Sequence, residues 1–214
     1  MKIKRFFFDC IVLLGYRIFE GEAMKKIAPR EVLPDDEMSW QDVEPNFRNW
    51  ICAACAINRE TGGADIKEFG GDPKGALLKR QTTQYMFASD WEIFSRQDLI
   101  MTIQDMMESV TPEYPKVAKV WQYLRIIQNA GFGYVAEYLT LKEALNCALA
   151  AGQKLQEVVG SWEELAGQYL EACATYMGKD ETLTQRKEAY QRLLASEENP
   201  YELVPFDLQL KKCW

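Results

Sequence analysis

Apolar residues recur in steps of three and four along most of the chain. Phe47, Trp50, Ile51, Ala54 and Ile57 form one stripe, and Leu99, Ile103, Met106, Met107 and Val110 a second. Val117, Val120, Trp121, Leu124 and Ile127 give a third, and Leu145, Ala148, Leu149, Gly152 and Leu155 a fourth. The last strong one is Trp162, Leu165, Ala166, Tyr169, Cys173 and Tyr176. On a helix of 3.6 residues per turn such spacing puts the side chains on one side, so each segment buries one face. Period-two alternation rich in β-branched residues is nearly missing. The pattern predicts an all-α fold, an irregular or orthogonal helical bundle with few or no strands.

The breaks between stripes agree with this. Pro45 suits the first turn of a helix that Gly62 or Gly63 closes. Ser95 with Asp98, Thr140 with Glu143, and Ser161 with Glu164 each place a hydroxyl three residues before an acid. That is the spacing of a capping box, in which the hydroxyl accepts a free backbone N–H and the acid reaches back. The glycine-rich segment Thr61 to Gln81 reads as the main loop, and the chain after Ser196 as an extended tail ending in Trp214. The expected organisation is an N-terminal helix and linker over 1–44, then a helix plus glycine-rich loop over 45–89. A core helical domain follows over 90–180, with a C-terminal helix and tail over 181–214.

Composition narrows the chemistry. The 214 residues carry 32 Asp and Glu against 25 Lys and Arg, a net charge of −7, and no histidine. Without histidine the commonest general base and the commonest ligand for zinc, copper and non-haem iron are missing. The acidic balance opposes a binder of nucleic-acid phosphates, which needs clustered cations. Six cysteines scattered among apolar positions read as reduced thiols in the cytosol rather than as a disulfide framework. Lys2, Lys4 and Arg5 ahead of Phe6 to Leu14 resemble a signal peptide, but Asp9 interrupts the run and no small-x-small cleavage site follows. At far less than the ~20 residues that span a bilayer, the stretch reads as a buried or partner-facing helix, with an interfacial helix as the secondary reading.

Three strings invite a chemical reading. Cys52-Ala-Ala-Cys55 has the spacing of a redox dithiol, yet a helix starting near Pro45 puts Cys52 about two turns inside, away from the helix start that activates such thiols. Two structural thiols is the stronger reading, and the pair lacks the second half of a zinc site. Gly131-Phe-Gly133-Tyr-Val-Ala136 matches a dinucleotide-binding string, but an amphipathic helical stretch precedes it where a strand is required. The glycines fit better as a point where two helices meet closely. The spacing of Gly70 and Gly75 resembles a phosphate loop, with Ala76 and Leu77 standing where Lys and Ser or Thr are needed.

Trp121-Gln-Tyr-Leu-Arg125, the stretch from Gly131 through Tyr134, Ala136 and Tyr138 to Glu143-Ala144, and Ser161-Trp162-Glu-Glu-Leu-Ala-Gly-Gln-Tyr169 together resemble a bacterial family. It is domain-of-unknown-function family 1266, the YbeU/YbeR-like proteins, and Ser89 to Arg96 resembles the start of the same domain. The resemblance spans Asp90 to Tyr176 and implies an α-helical domain without a known reaction. Two positions depart from it: Gln122 replaces an acid, and a Gly-His pair is missing near Glu108 and Ser109.

Function is expected to be that of a cytoplasmic, non-catalytic interaction or regulatory module acting through an acidic, aromatic-rich helical surface on a protein partner. No cofactor or metal is expected. The alternative is a small anionic-ligand binder or enzyme using a pocket around Arg125, whose guanidinium falls beside an apolar stripe and needs an acidic partner or an anion. Arg125, Tyr138, Glu143, Trp162 and Tyr169 are the candidate ligand or partner residues. A thiol redox protein on Cys52 and Cys55 is the weakest alternative.

Overall fold

The computed structural model describes residues 25–34, 38–178 and 180–214, and within them it is all α. The expected N-terminal helix over Phe6 to Leu14 lies outside the described residues. A short 3-10 turn, Trp40–Asp42, leads into α1, Pro45–Ala54. Pro45 at the first position has no N–H to satisfy, and both carboxylate oxygens of Glu44 accept from the next free donors, Asn46 at 3.0 Å and Phe47 at 2.7 Å. The helix expected to run to Gly62 is broken at Cys55, and α2, Ala56–Thr61, continues to the glycine.

The loop after Gly62 is shorter than the glycines suggested, because α3, Leu77–Met86, begins inside it. It runs into a π turn, Phe87–Trp91, which Glu92 ends in the left-handed conformation at φ 57°. The remaining helices are α4, Arg96–Glu108; α5, Lys116–Val135; α6, Leu141–Val158; α7, Trp162–Tyr176; and α8, Glu181–Ala195. Three of their starts fall on the hydroxyl residues. Ser95 Oγ accepts from Asp98 N at 3.2 Å, Thr140 Oγ1 from Glu143 N at 3.2 Å and Ser161 Oγ from Glu164 N at 3.1 Å. Only Glu143 completes the reciprocal box, accepting from Thr140 N at 2.9 Å. Asp98 and Glu164 reach one residue further back, to Phe94 N and Gly160 N.

Helix α5 is central, packed against α3, α4, α6 and α7, while α8 closes on α2 and α7. Its second half, from Ile126 to Val135, is apolar nearly all round, as a helix covered on several sides must be. Gly131 and Gly133 allow this closeness, though not between two helices in the first case. A Cβ on Gly131 would come within 2.8 Å of the Gly70 amide nitrogen, so the glycine lets the glycine-rich loop touch α5. One on Gly133 would lie 2.5 Å from a Leu99 methyl, so here α4 is the neighbour.

The tail after Ser196 is extended but firmly docked. Trp162 and Trp50 donate their indole N–H groups to the carbonyls of Val204 and Phe206 at 2.9 and 2.8 Å. Gln156 reaches the carbonyls of Phe206 and Leu208, and Gln153 that of Leu210. Val204, Phe206 and Leu210 are buried beneath this strap, each worth roughly 1.5–3 kcal/mol of apolar burial. Among the described residues no helix is long and apolar enough to cross a membrane.

Candidate functional site

Helix α5 turns Arg125 toward the junction with α7 and α8. Its guanidinium carbon lies 4.3 Å from the ring centre of Trp91 and 5.7 Å from that of Trp121, and Nη1 donates to Gln122 Oε1 at 3.1 Å. The π turn sets the first of these contacts, since it ends on Trp91. Such turns are frequent at functional positions, where the extra residue re-aims a side chain. Burial pushes the Arg125 guanidinium down, to about 10. Trp121 also stacks on Tyr169, 6.1 Å between ring centres.

A second arginine enters from α8. Thr182, Leu183, Arg186, Ala189 and Leu193 are its buried stripe, so Arg186 takes a core position and is only 2% exposed. Its Nε donates to Tyr169 Oη at 3.3 Å and its Nη1 to the Thr182 carbonyl at 3.1 Å. Both acceptors are neutral. Arg125 and Arg186 line one small cleft of ≈ 20 Å³ with Asn58, Trp91, Trp121, Gln128, Phe132, Tyr169 and Met177, and among the described residues of this lining none is a carboxylate. The space admits about one water or one oxygen of an anionic head group.

Beyond Asn58 and Phe132 lies a larger pocket of ≈ 200 Å³, formed by the glycine-rich loop, α2 and α3. Arg59, 4% exposed, and Lys79 are its cations, and Asp72 is its carboxylate, paired with Lys79 at 2.9 Å. Arg59 Nη1 donates to the Ile66 carbonyl at 3.4 Å. Thr83 Oγ1 donates back to the Lys79 carbonyl at 2.8 Å, leaving its oxygen lone pairs to accept from elsewhere. Among the described residues that line the two spaces there are four cations and one carboxylate, in a chain whose net charge is −7.

Of the residues expected to share a site, Arg125 and Tyr169 do. Tyr138 stands in the turn between α5 and α6, donating to the Phe94 carbonyl at 3.3 Å, and burial pushes its phenol up to about 12. Glu143 caps α6 and pairs with Arg96 at 2.6 Å. Trp162 is 9% exposed and holds the tail. These three have evident structural work away from the cleft. Arg186, Asn58, Gln128 and Arg59 went unnoticed in the sequence, although an arginine on an apolar stripe, as at 186, is a visible signal.

Burial bears on two further readings. Cys52 and Cys55 are buried free thiols at the α1–α2 joint, and burial pushes both up, Cys55 to about 11. Thiolate chemistry needs the opposite shift. Among the described aromatic residues Trp40, Trp50, Trp162, Phe47, Phe69 and Phe87 are core, whereas Trp91, Trp121 and Trp214 are half-buried and Tyr114 is exposed. Among the described residues no group of three Cys, Asp or Glu side chains is placed to hold a metal ion.

Residues 117–206 match the family model described as a protein of unknown function, DUF1266. The match starts later than the resemblance in the motifs, within α5, and runs through α8 into the tail. It therefore contains both Arg125 and Arg186. No curated protein and no solved structure matches the chain.

Proposed function

We propose that the protein is a non-catalytic regulatory or binding module that takes up a small anionic ligand between α5, α7 and α8, with Arg125 and Arg186 as its charge partners. The observation that carries this is the meeting of the buried Arg186 with the half-buried Arg125 in one cleft, where the printed acceptors of Arg186 are a phenol and a backbone carbonyl. A buried charge is costly unless paired, and guanidinium is the cation best suited to bind a planar anion and stack on an aromatic face. Trp91 and Trp121 supply those faces. The acidic exterior favours a small anion over a polyanion such as nucleic acid, which it repels.

The non-catalytic reading rests on the direction of the displaced acids. Burial pushes the phenols of Tyr138, Tyr169 and Tyr201 and the thiols of Cys55, Cys147 and Cys173 upward, away from the nucleophilic anion. Protonated, buried thiols also suit a reducing cytosol, and the motif resemblance over Asp90 to Tyr176 supports placing the protein in the bacterial YbeU/YbeR-like branch. The test is titration with inorganic phosphate and with hexanoate at matched ionic strength, read by tryptophan fluorescence in wild type and Arg125→Gln. A saturable change lost in the variant is expected. A response no larger than that to chloride in both proteins would sink the proposal.

A further inference from the structure

The C-terminal strap lies in a groove formed by α1, α6 and α7, and its hydrogen bonds away from solvent run one way. Trp162 and Trp50 donate to the carbonyls of Val204 and Phe206, Gln156 to those of Phe206 and Leu208, and Gln153 to that of Leu210. Each of these donors is a side chain of the helical body, and each acceptor is a main-chain oxygen at an alternate position of the strap. At its solvent-exposed end the strap donates in turn, from Trp214 Nε1 to Asn146 Oδ1 at 3.2 Å. Among the described residues no backbone–backbone hydrogen bond joins residues 199–214 to the helices. Main-chain carbonyls are common to all sequences, so this grip holds an extended segment whatever its polar side chains are.

Selectivity resides in a few apolar seats. Phe206 stands between Trp50 and Trp162, 5.7 and 4.9 Å between ring centres, the second edge-on. Leu210 rests on α6 where Gly152 leaves room, since a Cβ there would lie 2.9 Å from a Leu210 methyl. Val204 is buried as well, whereas Pro205, Asp207, Gln209 and Lys211 are exposed. Carbonyl bonds for affinity and alternate side-chain seats for specificity are how proteins read extended peptides. The strap joins α8 through Ser196, Glu197 and Glu198, all exposed, so its connection lies outside the groove. An empty groove would bare Trp50 and Trp162, but one occupant replacing another keeps the indoles covered and the donors paired. We infer that the groove is a receptor for an extended peptide and the strap its resident occupant, displaced by a partner protein's segment with apolar residues spaced as Val204, Phe206 and Leu210 are. A second copy brings a strap already seated in its own groove, so exchange between copies gains no contact.

The experiment uses the full chain with a protease site in place of Ser196 to Glu198, cut after folding. Cutting removes the effective concentration that the tether gives the strap. A fluorescein-labelled peptide of residues 199–214, followed by anisotropy, should then exchange in saturably. Phe206→Ala in the peptide should weaken uptake at least roughly tenfold, as loss of a central aromatic anchor does. Gln156→Glu in the protein, similar in shape but without donors, should weaken it by roughly fivefold or more. Alanine at Asp207, Gln209 and Lys211 of the peptide should change it by less than about threefold, as surface substitutions do. Exclusion of the peptide, or uptake that demands the native residues at those three positions, would overturn the inference. Should the cut chain unfold, Phe206→Ala in the uncut chain weakens the resident instead, and the wild-type peptide should enter; its exclusion there would overturn the inference equally. A doubled mass of the uncut chain at rising concentration would overturn it by giving the groove to a second copy.

Discussion

Arg186 carries a positive charge into a position 2% exposed, where its acceptors are a phenol and a backbone carbonyl. Guanidinium buried for stability alone is usually met by a carboxylate, because desolvation otherwise exceeds what neutral partners return. Arg186→Met, similar in length and apolar, should therefore leave the melting temperature unchanged or higher while abolishing the response to anions. A loss of stability of several kcal/mol would instead mark the arginine as structural, since breaking a needed buried pair costs roughly 3–5 kcal/mol. Arg125 could be singled out from its own helix, because it follows Leu124 beside an apolar stripe. Its meeting with Arg186 could not, since the two arginines lie 61 positions apart in the chain (186 − 125) and no local pattern encodes which faces converge.

Among the elements, the caps were the most legible features, because a hydroxyl and an acid three residues apart is a local rule with a local cause. Thr140→Ala removes the acceptor for Glu143 N and one partner of the Glu143 carboxylate. It should cost about 1 kcal/mol, seen as a lower melting temperature, with anion titration unaltered. Helix α3 was illegible for the opposite reason: it buries no residue completely, so its apolar positions leave no clear stripe. The glycine string does permit close packing, between two helices at Gly133 as expected, but at Gly131 the neighbour is the glycine-rich loop. Gly131→Ala should cost about 1–3 kcal/mol, because the new methyl meets the Gly70 backbone, which has no side chain to swing aside. It should also disturb the larger pocket, which Gly70 lines. A chemical-shift map confined to α5 would contradict that.

For the whole molecule, the buried acids set an alkaline limit. Cys55, Cys147 and Cys173 have pKa values pushed up by burial to about 11, from an ordinary value of 9.0. Above pH 9 the unfolded chain releases these protons while the folded chain keeps them, so the native state binds more protons and stability falls as pH rises. Stability should be level with respect to these groups below pH 9 and drop between 9 and 11; alkaline denaturation monitored by circular dichroism checks this. Cys173→Ser, with the hydroxyl unable to ionise in that range, should flatten part of the drop.

The missing histidine and the acidic balance were informative at this scale because they constrained chemistry without reference to position. What they could not express is distribution: an acidic protein gathers Arg59, Lys79, Arg125 and Arg186 around two adjoining spaces. The most direct test of that gathering is a ¹⁵N-arginine NMR titration with succinate, observing side-chain Nε–H resonances assigned through Arg125→Gln and Arg186→Met. The account predicts that the Arg125 and Arg186 signals move together and saturably, ahead of those from exposed arginines such as Arg30 and Arg192. Movement confined to the exposed arginines, with the Arg125 and Arg186 signals stationary, would contradict it.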